Sequence, residues 1–160
     1  MAVVPPDRQA GTAEDAVASV ERMPPEAGVV DQDLYPGVTV GEGYAIGALE
    51  DFGSEYGFRK VRKGLGVTAF GVNALVRQAG YETKWHYHDL QEELYFVHRG
   101  SLEMQFADGT AHLLGEGMFA RVDASTIRKI RVLGPGDTIY VCAGGEGGYI
   151  GRDGRAPEGM

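Results

Sequence analysis

The side chains in this sequence best suited to hold a metal ion are two histidines two residues apart, His86 and His88, and a carboxylate that follows them. Extended backbone turns residues i and i+2 to one face, so a strand points both imidazoles the same way, whereas a helix would splay them. A short break at Asp89, Leu90 and Gln91 leads to Glu92 and Glu93. The apolar run 94–97 then reads as a second strand returning beside the first. Two imidazoles and one carboxylate converging from adjacent strands match a 2-His-1-carboxylate facial triad, which leaves coordination positions open for substrate. Strand parity alone does not choose between Glu92 and Glu93.

Such a triad needs a stiff sheet to position it. Residues 67–76 form the first long strand of the expected set, with both faces mostly apolar, as in a strand buried on each side. Strands are also expected at 102–107, 111–114, 118–122, 126–132 and 138–143. Asp108-Gly109, Gly115-Glu116-Gly117 and Pro135-Gly136 make turns between them. Strands recurring about every 8–12 residues with turns between them predict an all-β sandwich or barrel.

A length of 160 residues fits one domain with a real core, and 25 glycines with 7 prolines fit its many turns. The formal net charge of −8 argues against nucleic acid or an anionic membrane as partner. No apolar run approaches the roughly 20 residues of a membrane span. The first six residues lack the basic end and long apolar core of a signal peptide. A single cysteine, Cys142, excludes an internal disulfide and fits a reducing cytoplasm; without a visible base beside it, it reads as a small strand residue rather than a nucleophile.

Residues 1–30 read as a tail, mobile or weakly helical over 13–22. Residues 31–65 alternate aromatics with glycines and read as an irregular leader packed on the main domain or on a partner. Within it, the basic run 59–63 reads as a solvated face, with a phosphate or carboxylate site as the alternative. The Gly-rich tail 144–160 reads as loop, anchored by Tyr149 and Ile150.

The run from Gly80 to Gly100 resembles the first motif of the cupin superfamily: Gly, five residues, His-x-His, four residues, Glu, six residues, Gly. Gly80, His86, His88, Glu93 and Gly100 fill its fixed positions, and the spacing to Gly100 favours Glu93 over Glu92. The resemblance implies a double-stranded β-helix, or jelly-roll barrel, over 66–143. It also implies one divalent metal (Fe, Zn, Ni or Mn) held by His86, His88 and Glu93. The second cupin motif is degenerate. In its register Gly117 is kept, while Asp123, Ser125, Arg128 and Val132 stand where the family has Pro, Gly, His and Asn. An arginine offers no lone pair to a metal. Arg128 is therefore read as a clamp for an anionic substrate, or as a cation that repels the metal unless Glu92 or Asp89 pairs with it. Tyr95 shares the parity of Glu93 and is expected to face the pocket and bind substrate. His98 and His112 are not expected to ligate, and Trp85 is expected to pack on the opposite face.

The implied function is a metal-dependent enzyme of oxygenase, isomerase, lyase or cyclase type acting on a small organic anion. The alternative is a binding or sensory module without catalysis. A cytoplasmic homodimer is expected in either case.

Overall fold

Alternating side chains punctuated by glycine turns produce short antiparallel strands across the described residues. The structure, a computed structural model, describes residues 28–160 and the backbone of residues 21–22. The leader contains β1 (Glu21–Arg22), β2 (Thr39–Gly41), β3 (Tyr44–Ile46), a 3-10 turn (Leu49–Phe52), β4 (Gly57–Arg59) and one short helix, α1 (Val61–Leu65). The barrel strands follow as β5 (Gly71–Arg77), β6 (Tyr87–His88), β7 (Glu92–Arg99), β8 (Ser101–Phe106) and β9 (Ala111–Gly115). Then come β10 (Phe119–Val122), β11 (Arg128–Val132) and β12 (Thr138–Gly145), with β13 (Ile150–Gly151) and β14 (Gly154–Arg155) in the tail.

Two sheets face each other. One runs β10-β7-β12-β5-β4, the other β11-β8-β9, with segment 81–86 bonded along the free edge of β11. Leu75, Tyr95, Val97 and Tyr140 from the first sheet meet Leu102, Met104, Leu114 and Ile130 from the second. Each such side chain withdrawn from water contributes on the order of 2 kcal/mol, so this layer holds the sheets together. Gly100 makes the β7–β8 turn at φ +82°, and a Cβ there would lie 2.5 Å from Thr138 Oγ1 and 2.8 Å from the Asp137 carbonyl oxygen. No side chain fits that corner. The fold is an all-β jelly roll.

Three local expectations change. The barrel sheet begins before residue 66, because β4 pairs with β5 as its edge strand. The basic run 59–63 is only partly a solvated face, with Lys60 and Lys63 exposed. Arg59 and Arg62 are buried: Arg59 Nη1 donates to the Ser54 carbonyl (2.9 Å), and the Arg62 guanidinium lies 3.9 Å above the Tyr149 ring. The tail is not simply loop, since β13 pairs with β1 and β14 with β6. That pairing also makes residues 21–22 strand, whereas the rest of the helix expected over 13–22 lies outside the described residues.

Candidate metal centre

Backbone bonds set the three candidate ligands before any side chain acts. His86 N donates to the Arg128 carbonyl (3.0 Å) and Arg128 N to the His86 carbonyl (2.9 Å), fixing these two residues opposite each other. His88 N donates to the Ala124 carbonyl at 2.8 Å. Glu93 arrives from the other sheet on β7, whose alternation turns Glu93, Tyr95 and Val97 inward. Glu92 faces out and pairs with Arg121 at 2.8 Å, so of the two carboxylates it is Glu93 that stands beside the histidines. Ligand atoms of His86, His88 and Glu93 lie within 4.8 Å of one another.

The two oxygens of Glu93 have different partners. Oε1 lies 3.3 Å from His88 Nε2. Oε2 accepts from Arg128 Nη2 at 2.6 Å and from the Tyr95 hydroxyl. Arg128 is 0% exposed, and its Nη1 donates to the carbonyls of Ala124 (3.2 Å) and Thr126 (3.0 Å). Both residues expected to bind substrate, Arg128 and Tyr95, thus turn to Glu93. Arg128 clamps the carboxylate rather than a ligand in the lumen, because its fully buried side chain pairs with Glu93 as its counter-charge. Tyr95 also forms part of the cavity wall.

The protonation states of Glu93 and His86 suit ligation. Burial would raise the Glu93 pKa, but His88, Tyr95 and Arg128 outweigh it and hold the carboxyl well below its usual range. Burial lowers the His86 pKa, and Arg128 lowers it further, so the neutral ring is favoured. His86 Nδ1 lies 3.0 Å from the Lys84 carbonyl, which can only accept; the ring donates there from Nδ1 and keeps the Nε2 lone pair. Burial, then Cys142 and Glu93, push the Tyr95 hydroxyl up, so it keeps its proton. Burial and Glu93 likewise push Cys142 up, which leaves it a protonated thiol rather than a nucleophile.

A second layer holds His88, and it comes from the tail. Asp153 Oδ2 lies 3.5 Å from His88 Nδ1, and the Gln91 side-chain amide lies 3.0 Å from the same atom. The Asp153 carboxylate is fully buried and accepts the backbone N–H groups of Leu90 (3.2 Å) and Gln91 (2.9 Å). A carboxylate behind a ligating histidine fixes its tautomer and orientation. With one carboxylate ionised and His86 neutral, the donor set fits a divalent cation that takes nitrogen and oxygen ligands.

Two cavities meet at this point. One, of about 200 Å³, has Arg77, Tyr81, Thr83, His86 and Tyr95 in its wall. The other, of about 220 Å³, has Asn73, His88, Gln91, Tyr149 and Asp153. Phe58, Leu75, Glu93 and Cys142 belong to both walls. His98 and His112 are exposed and stand apart from the site, and half-buried Trp85 packs under Lys129 Nζ at 5.4 Å. Sequence reasoning missed Asp153, Gln91 and Arg77. For Arg77 a signal existed: the strand expected at 67–76 stops one residue short of it, and Asn73, Leu75 and Arg77 share one parity.

Residues 75–144 match the protein family described as Cupin domain. The chain carries a cupin domain. Solved structures resemble it as folds. A cupin protein from Bacteroides fragilis is 19% identical with a TM-score of 0.56, the match covering 65% of this chain and 85% of that one. A protein with a double-stranded beta-helix domain from Klebsiella pneumoniae is 20% identical with a TM-score of 0.50, covering 56% and 76%. A chain from crystal structures of DMSP lyases is 23% identical with a TM-score of 0.48, covering 56% of this chain and 44% of that one. This chain therefore matches less than half the length of that lyase chain. A search among curated proteins finds no match. Within this domain His86, His88 and Glu93 could hold a metal ion, and Arg128 is bonded to the carboxylate of Glu93. Among the described residues no helix is long and apolar enough to cross a membrane.

Proposed function

We propose that His86, His88 and Oε1 of Glu93 hold one divalent metal ion, Fe, Zn, Ni or Mn, and that the protein is a metal-dependent enzyme acting on a small organic molecule in the adjoining cavity. The supporting observation is the convergence of three ligand atoms within 4.8 Å at the meeting of two cavities. A bound cation there supplies Lewis acidity or, as iron, oxygen chemistry, which fits an oxygenase, isomerase, lyase or cyclase. The protein's own groups prepare the site. Arg128 and Tyr95 occupy Oε2, so Glu93 presents one oxygen. Asp153 and Gln91 orient His88, while Phe58 and Leu75 supply apolar wall. The reading also takes the protein to be a cytoplasmic homodimer.

Elemental analysis of untagged protein is expected to find one metal per chain, and His86→Ala is expected to lose it. Full occupancy in that variant refutes the ligand assignment. A second reading, a binding or sensory module, is favoured by the Glu93–Arg128 ion pair, which already satisfies one carboxylate oxygen. No thermal shift on adding Fe(II), Zn²⁺ or a chelator, combined with no bound metal, would favour it.

A further inference from the structure

Arg77, the last residue of β5, is a cation in the cavity wall that forms no ion pair among the described residues. The alternation that turns Leu75 inward also turns Arg77 there, and both share the smaller cavity with His86, Glu93 and Tyr95. Its guanidinium lies 4.1 Å from the centroid of the Tyr81 ring and 5.5 Å from that of Phe58, so two aromatic groups hold it in position. Among the described residues no carboxylate pairs with it, whereas Arg121, Arg128, Lys129, Arg131 and Arg155 each have one. Its Nε is buried and makes no hydrogen bond. Arg59 and Arg128 also have an unbonded Nε, but carbonyls and Glu93 take up their Nη groups, whereas the Arg77 guanidinium meets the neutral hydroxyl of Tyr140. The buried Nε–H of Arg77 has no acceptor, and an anionic ligand would supply one.

We propose that Arg77 anchors the carboxylate of a small substrate whose other end reaches His86, His88 and Glu93. This rests on the metal-site reading of those three residues. The planar guanidinium fork matches a planar carboxylate through two parallel hydrogen bonds. Arg77 is the one arginine or lysine in this cavity wall, and Glu93 stands in the same wall, so a singly charged carboxylate fits better than a phosphate dianion. At about 200 Å³ the cavity is smaller than the roughly 300–1,000 Å³ of drug-sized sites, which points to a short-chain acid. Phe58, Leu75 and Ile130 give its middle an apolar wall.

The test is a titration of the metal-free protein with propionate, its uncharged isostere propionamide, and inorganic phosphate, followed in ¹H–¹⁵N spectra. Propionate is expected to move the Arg77 Nε–H resonance and the backbone resonances of Phe58 and Tyr81, and propionamide to leave them in place. Arg77→Gln should weaken propionate binding by roughly tenfold or more, the loss expected for hydrogen bonds to a charged group. Arg77→Lys should retain part of the affinity, which separates a lost anchor from a misfolded variant. The anchor is overturned if propionate moves no resonance, if propionamide binds equally well, or if Arg77→Gln with a wild-type spectrum binds unchanged. Phosphate binding tighter than propionate overturns the carboxylate assignment. Metal content measured on His86→Ala judges the metal reading separately: that variant is expected to lose the metal and still bind propionate, so the two readings fail independently.

Discussion

Glu93 carries three roles at once: it faces His88, accepts from Tyr95 and neutralises Arg128. Removing one member of a buried pair leaves the other charge uncompensated, which costs about 3–5 kcal/mol. Arg128→Met should therefore lower the urea midpoint sharply, and Glu93→Gln combined with it should recover part of the loss; strictly additive losses would show the pair is not coupled. The pH dependence follows from the direction of the Glu93 shift. Its folded pKa lies below the ordinary carboxyl value of 4.5, so the unfolded chain takes up the proton first. The stabilisation is fully present above about 4.5 and is lost as pH falls through the folded value, and Glu93→Gln should flatten that acid limb. The triad was legible because His-x-His on a strand needs only a period of two. The partner of Arg128 was not. Sequence offered Glu92 or Asp89, but Glu92 pairs with Arg121 and Asp89 with Arg155 (2.6 Å), leaving Glu93 for Arg128. That choice depends on the separation of two sheets, which no local pattern encodes.

At the level of elements, the strands bounded by Asp108-Gly109, Gly115-Glu116-Gly117 and Pro135-Gly136 were readable, since glycine turns and alternating apolar residues mark β8 to β12. The two-residue strands β13 and β14 were not, because they are too short to show a period. Yet they bring Asp153 under the turn between His88 and Glu93. Asp153→Ala removes the acceptor for two amide protons, a change expected to cost about 1–3 kcal/mol. Hydrogen exchange at the Leu90 and Gln91 amides should accelerate. Metal affinity should also fall by about 10–100-fold, as for loss of an outer-shell partner of a ligating histidine. Faster exchange with unchanged metal affinity would limit Asp153 to holding the turn.

At the level of the whole molecule, the described residues cover one half of the outer face of the five-stranded sheet and leave the other half open. The outward-facing Ala74, Val76 and Ile139 are buried on the half where the leader lies, with α1 against β5. Toward the β7–β10 edge, Leu94 is 45% exposed and Phe119 62%, with Phe119 stacked on Phe96 at 4.5 Å. Glu92, Arg121 and Asp123 border this apolar area with both signs of charge, a rim that can pair with its own copy across a two-fold axis. The homodimer proposed above would pair through this face, since the described part of the leader lies on the other half. Its test is sedimentation equilibrium over a range of protein concentrations. Wild type should be dimeric, and Phe119→Glu, which places a charge in the middle of the apolar area, should be monomeric. Because Phe119 points away from the lumen, metal content and propionate binding should stay at wild-type values in that variant. A wild-type monomer, or a Phe119→Glu variant that remains dimeric, would remove this face as the interface and leave the site reading untouched.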